Sequence, residues 1–293
     1  MGPLELVKLT ALMGRTSGKS KIRIGLIDGP VAVDHPGLFG ENIHVVPGSF
    51  AGACSRSSSI ACIHGTFVAG VLCANRESGA PAICPSCTLV VRPIFGETSS
   101  TNGSLPNATP QELAAALIDC IDSGVCIVNL SIALAEASMP GRCKLQQCLD
   151  YAARRNVLIV AAAGNQGTVG SSLITRHPWV IPVAACDLQG RPTSQSNLGR
   201  SIGRRGVCAP GDNITSLDPT GGNGTYSGTS AAAPFVTGAI ALLWSEFPEV
   251  DVADLRFAVL RSNRAPRTSV APPLLDVDSA CQWITTSFTG GPR

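Results

Sequence analysis

Uninterrupted apolar stretches recur along the chain, separated by segments whose apolar residues fall at helical spacing. Ile22, Ile24 and Leu26 open a strand that ends at Asp28-Gly29-Pro30. Thr88 to Phe95, Cys126 to Ile132, Val157 to Ala162, Val180 to Cys186 and Gly206 to Ala209 read the same way. Runs that are apolar on both faces predict buried strands of a parallel sheet. Helices are predicted over His64 to Ala74, Thr109 to Ser123, Lys144 to Arg155, Thr229 to Phe247 and Val252 to Arg261. Thr109-Pro110-Gln111-Glu112 starts one of them with a cap, a proline at the first helical position and an acid nearby. Strands alternating with helices predict an α/β fold, with a mostly parallel central sheet covered by helices on both faces. Ligands of such sheets gather at the carboxyl ends of the strands.

The flanks read differently. In residues 1–21, Leu4, Val7 and Ala11 share one helical face, which predicts a docking helix before a linker from Gly14 to Ser20. The stretch from His44 to Ile60 is rich in Gly and Ser and reads as a surface loop. Residues 263–293 hold Pro266, Pro272-Pro273 and a Gly-Gly-Pro end, and predict an appended, partly mobile tail. The main domain is then 22–262.

Composition narrows the function classes. The chain has 293 residues, enough for one large core, and a net charge of +2. That charge gives no argument for nucleic acid or an acidic membrane as partner. The longest apolar run, around Ala231 to Trp244, falls short of a membrane span. Lys8, Glu5 and Arg15 interrupt the N-terminus, so no export signal is expected. A cytoplasmic location follows as the expectation, with secretion as the alternative. Twelve cysteines then read as mostly reduced core residues. In an exported chain, Cys54 with Cys62, Cys84 with Cys87, Cys120 with Cys126 and Cys143 with Cys148 are the candidate bridges.

Four short segments carry candidate chemistry. Tyr226-Ser227-Gly228-Thr229-Ser230 runs into the apolar helix, with Thr229 as candidate cap and Ser230 in the first turn. Backbone N–H groups there lack helical partners, so an oxyanion formed on attack by Ser230 develops beside free donors. Asp28 ends a buried strand, where an acid is costly unless paired. His64 opens His64-Gly65-Thr66, and Asn165 lies on the turn Ala163-Gly164-Asn165. Singly these are an ordinary loop acid, a structural histidine, a turn and a capped helix. Together, Asp28, His64 and Ser230 supply the orienter, base and nucleophile that acyl transfer needs.

The segments Ile27-Asp28-Gly29, His64-Gly65-Thr66 with Val68-Ala69-Gly70, Ala163-Gly164-Asn165, Ala209-Pro210-Gly211, and Gly228-Thr229-Ser230 with Pro234 resemble the subtilisin-like serine proteases, the subtilase family. The likeness runs from about residue 22 to 262. It implies a three-layer subtilisin-like fold and a serine endopeptidase. Ser230 would be the nucleophile, His64 the proton carrier, Asp28 its orienter and Asn165 an oxyanion donor. Asn129-Leu130-Ser131-Ile132-Ala133 resembles the strand that pairs with substrate backbone, and Gly164 belongs to the same substrate-binding set. The resemblance implies a peptide or protein substrate and no cofactor.

Departures from the family pattern matter as well. Ile132, Ala133 and Leu134 stand where glycines are usual, so a narrowed cleft is expected. His35-Pro36-Gly37 lacks the family's calcium-binding aspartate, so no metal site is expected there. No folded inhibitory pro-domain is expected in the short stretch before Ile22. Leu26-Ile27-Asp28-Gly29-Pro30-Val31, Asp34-His35-Pro36 and Arg92-Pro93-Ile94-Phe95 resemble the branch that matures ribosomally made cyclic peptides, the cyanobactin or patellamide type. That branch implies removal of a leader from a precursor peptide. A degradative subtilase and a non-catalytic peptide-binding module are the other readings.

Overall fold

The computed structural model describes residues 1–97, 108–132, 141–261 and 269–288. Seven parallel strands form the central sheet: β1 (Arg23–Asp28), β2 (Ile43–Val45), β3 (Thr88–Pro93), β4 (Ile127–Leu130), β5 (Leu158–Ala162), β6 (Val180–Cys186) and β7 (Val207–Pro210). Their order is β2-β3-β1-β4-β5-β6-β7, so β1 lies inside the sheet between β3 and β4.

Helices cover both faces. Leu89 and Val91 of β3 join one core with α3 (Ile60–Cys73), while Val90 between them joins the other with α4 (Pro110–Asp122). This is the period-two alternation of a strand buried on both sides. The α4 side also holds α5 (Arg142–Arg154). The α3 side holds α8 (Thr229–Glu246) and α9 (Val252–Leu260). The α8 helix is buried on nearly every face, because it lies between the sheet and the helices outside it. Its Phe235 is fully buried, a contribution of about 2–3 kcal/mol. Thr109 caps α4 as expected: its hydroxyl accepts from Glu112 N, and the Glu112 carboxylate accepts from Thr109 N.

The flanks depart from the sequence reading. The lead forms two short helices, α1 (Pro3–Leu6) and α2 (Thr10–Arg15), broken at Lys8, which has a positive φ of 57°. Val7, Leu9 and Leu12 are buried there and Ala11 is exposed, so the break turns the predicted face away. The expected surface loop begins with the edge strand β2. The described part of the expected tail packs into the body. Cys208 N donates to Pro273 O (2.7 Å) and Leu275 N donates to Cys208 O (2.8 Å), laying residues 273–275 parallel to β7. Then α10 (Val277–Phe288) buries Val277, Ala280, Cys281 and Ile284. A hairpin of β8 (Ile214–Leu217) and β9 (Asn223–Tyr226), absent from the sequence reading, leads into α8.

Candidate active site

Where β1 leaves the sheet it crosses α3 with almost no space between backbones. A Cβ on Gly29 would stand 2.0 Å from Ala61 O, and one on Gly65 would stand 2.5 Å from Pro30 O. Only glycine at both positions permits that crossing. It brings Asp28, at the strand's end, against His64 in the second turn of α3. The histidine therefore lies within a helix that starts at Ile60, not at its opening as the sequence suggested.

His64 Nδ1 donates to Asp28 Oδ1 at 2.6 Å, and Gly29 N donates to the same oxygen at 2.7 Å. Both side chains are buried, Asp28 completely. The other carboxylate oxygen, Oδ2, is buried with no partner among the described residues. Among the described residues the Asp28 carboxylate is thus held by Gly29 N–H and the imidazole alone, which fixes the orientation of the ring. With Nδ1 donating, Nε2 is the acceptor of the neutral ring. The imidazole meets Tyr226 edge-on at 6.3 Å, and Tyr226 in turn contacts Phe67. Burial pushes the Tyr226 hydroxyl up from its ordinary pKa.

Ser230 sits in the first turn of α8. The cap is Gly228 with φ +136°, not Thr229 as expected from sequence. Thr229 works elsewhere: its N–H and its hydroxyl donate to Asn165 Oδ1 (2.8 and 3.0 Å), and its Oγ1 accepts from Gly164 N (3.1 Å). With its oxygen engaged, Asn165 keeps its NH2 group as the donor facing the helix start. A Cβ on Gly228 would come within 2.8 Å of that nitrogen. Asn197 anchors the same turn by donating to Ala163 O (3.2 Å) and accepting from Gln166 N (3.0 Å).

A buried chain of hydrogen bonds ties the end of β4 to α8. Thr237 Oγ1 donates to Asn129 Oδ1 (2.8 Å), Asn129 Nδ2 to Ser131 Oγ (2.8 Å), and Ser131 Oγ to Ser230 O (3.0 Å). Sequence reasoning missed the parts played by Thr229, Asn197, Asn129 and Thr237. A buried Asn within an apolar strand was the one available signal.

Among the described contacts no hydrogen bond joins Ser230 Oγ to His64. Such bonds are often long without substrate and tighten when it binds. Of the expected substrate-binding set, Ser131 and Gly164 border this edge, and Gly164 has φ +104°. Ile132 is only 3% exposed and packs in the core on the α4 side, so its side chain fills interior space and does not narrow an open cleft. Ala133 lies outside the described residues.

Cys54 and Cys62 form a disulfide, while Cys84, Cys87, Cys120, Cys126, Cys143 and Cys148 are free thiols. Burial pushes the Cys120 thiol up to about 12. Among the described residues no helix is long and apolar enough to cross a membrane.

An Asp–His pair and a serine-bearing helix start, set on the carboxyl edge of this three-layer sheet, define a subtilisin-like α/β scaffold. The chain belongs to the subtilase family, whose profile matches residues 19–276. It is 29% identical over 259 residues to subtilisin amylosacchariticus of Bacillus subtilis subsp. amylosacchariticus, an alignment that covers 86% of this chain. The chain spans 63% of that relative's length. Among solved structures, a serine-to-alanine mutant of the PatA protease domain matches with a TM-score of 0.82 and 31% identity, over 92% of this chain and 97% of that one. The prenylagaramide maturation protease PagA matches with a TM-score of 0.78 and 28% identity, over 94% and 98%.

Proposed function

We propose that this chain is a serine endopeptidase with Ser230 as nucleophile. The observation that carries the reading is the 2.6 Å bond from His64 Nδ1 to the buried Asp28 carboxylate. It leaves Nε2 free to accept the Ser230 hydroxyl proton while Oγ attacks the peptide carbonyl carbon. The carbonyl oxygen becomes an oxyanion, held by the Asn165 amide and the Ser230 N–H. On collapse the C–N bond breaks and His64 returns the proton to the leaving amine. A water then repeats the sequence on the acyl ester and frees Ser230. The substrate lies extended beside Ser131, Ile132 and Gly164, read mainly through its backbone.

The substrate we favour is a ribosomally made precursor peptide, from which the enzyme removes a leader. Support comes from PagA, described as a maturation protease, and from the likeness to PatA. The free thiols fit work in a reducing compartment such as the cytoplasm.

A fluorophosphonate probe tests the chemistry. Labelling of the purified chain, abolished by Ser230→Ala with the fold intact, supports it. An unlabelled, folded wild type would point to a peptide-binding module instead. Incubation with a precursor peptide encoded nearby tests the substrate: one discrete cut supports maturation, and casein digestion without such a cut overturns it.

A further inference from the structure

The segment between β2 and α3 is fastened at three points. Beyond the end of β1, Val31 N donates to Gly52 O (3.2 Å) and Cys54 N donates to Val31 O (3.0 Å). Beyond β3, the Glu97 carboxylate accepts from Ser55 N (2.9 Å), from Arg56 N (2.8 Å) and from the Ser55 hydroxyl. The third point is the Cys54–Cys62 disulfide, and Cys62 lies in the first turn of α3, just ahead of His64.

The first two fastenings contain no sulfur, so breaking the disulfide leaves them in place. They would hold Cys54 and Glu97 beside Cys62 in the reduced chain. One sulfur from each cysteine and one Glu97 oxygen all lie within 4.8 Å of one another. Tetrahedral zinc, with Zn–S near 2.3 Å and Zn–O near 2.0–2.2 Å, sets its ligand atoms roughly 3.4–3.8 Å apart. Small side-chain rotations therefore complete the geometry. Cys54 and Glu97 are partly exposed, which gives an ion a route in, while Cys62 is buried. This is the one set of three such ligands gathered among the described residues.

We propose that Cys54, Cys62 and Glu97 form a site for one thiophilic divalent cation of the Zn2+ type, available when the disulfide is reduced. Two equivalents of a cellular thiol convert the disulfide to two thiols and are themselves oxidised to a disulfide. The cation then displaces both thiol protons to solvent, and water fills the fourth position. Disulfides in reducing compartments are usually transient, so the reduced state is the relevant one there. In either state the segment stays clasped to the helix that carries His64. The site does not depend on the proposed peptidase activity.

The test is a Co2+ titration of the full chain, reduced with a phosphine under anaerobic conditions. The expected result is one equivalent bound with thiolate-to-metal charge-transfer absorption, displaced by Zn2+. The disulfide form of the same protein should show no such band. Cys54→Ser and Cys62→Ser should each abolish it, and Glu97→Gln should weaken binding at least tenfold. No band in the reduced wild type, or a band that persists in the Cys54→Ser/Cys62→Ser double variant, overturns the proposal. The oxidised wild type carries no substitution, so the comparison survives any variant that misfolds.

Discussion

Gly29 and Gly65 lie backbone against backbone: a Cβ on Gly65 would stand 2.6 Å from Gly29 O. This contact fixes how closely the strand bearing Asp28 approaches the helix bearing His64, and hence the 2.6 Å bond between them. Gly65→Ala must push the two elements apart, because the obstructing atoms are backbone. The expected cost is about 1–3 kcal/mol of stability, as for other overpacked contacts. Peptidase activity should fall by more than the loss of folded protein explains. Thermal melts alongside kcat/KM measure both, and unchanged activity would show that the crossing does not set the pair.

The Asn165 amide should matter more to turnover than to binding. Asn165→Ala is expected to lower kcat by about 10²–10³-fold with little change in KM, the effect of losing one oxyanion donor. Thr229→Val keeps the backbone bond to Asn165 Oδ1 and removes the hydroxyl one, so its loss should be smaller. Steady-state kinetics on a peptide substrate rank the two. Equal losses would mean that Thr229 acts on something other than the amide's orientation.

Lys8 and Asp276, 2.6 Å apart, join the N-terminal turn to the start of α10. Burial acts against the Asp276 carboxylate, but the hydrogen bonds from Lys8 and Ser279 outweigh it and hold its pKa below 3.8. Its contribution to stability is therefore complete above the unfolded value and is lost as pH falls through the lower folded one. The Lys8 ammonium, hydrogen-bonded to Asp276, is raised above 10.5, so its share is complete below that value and is lost at higher pH. Asp276→Asn should lower the melting temperature at pH 7, and by less near pH 2. Lys8 is half exposed, so the change should be within about 1 kcal/mol. Melts at both pH values read it.

The thiol inventory gives a further expectation. Denaturation and alkylation without reductant should modify Cys73, Cys84, Cys120 and the other free thiols but not Cys54 or Cys62. In the folded protein Cys143, which is exposed, should react first. Peptide mass mapping decides both points. Full alkylation of Cys54 and Cys62 without reductant would mean that the bridge is absent from the isolated protein.

The strands that build the site were legible because β1 and β3 to β7 are short, largely apolar on both faces and rich in β-branched residues, which fits covered parallel strands better than the longer buried helix α8. The capping box at Thr109 was legible for a local reason: its bonds span three residues. The β8–β9 hairpin was not, since Thr215, Asn223 and Thr225 face solvent and the chain there reads as loop. The sequence pattern starts α3 four residues late, because Ile60 to Ile63 follow a polar loop without a side-chain cap. Thr229 looked like a cap because the residue type fits. Its true partner, Asn165, lies 64 positions away and could not be read locally. For α10, the buried set Val277, Ala280, Cys281 and Ile284 has helical spacing, but the prolines before it suggested a detached tail.

Residues 273–275, laid along β7, deny that side of the sheet to any passing chain. An uncovered outer strand offers unpaired N–H and C=O groups that can template association with a neighbour. At the opposite margin the last strand, β2, has only three residues, too short to recruit one effectively. Trimming the protein before Leu274 bares that edge together with the apolar face that α10 covers, so in concentrated solution the shortened chain should self-associate.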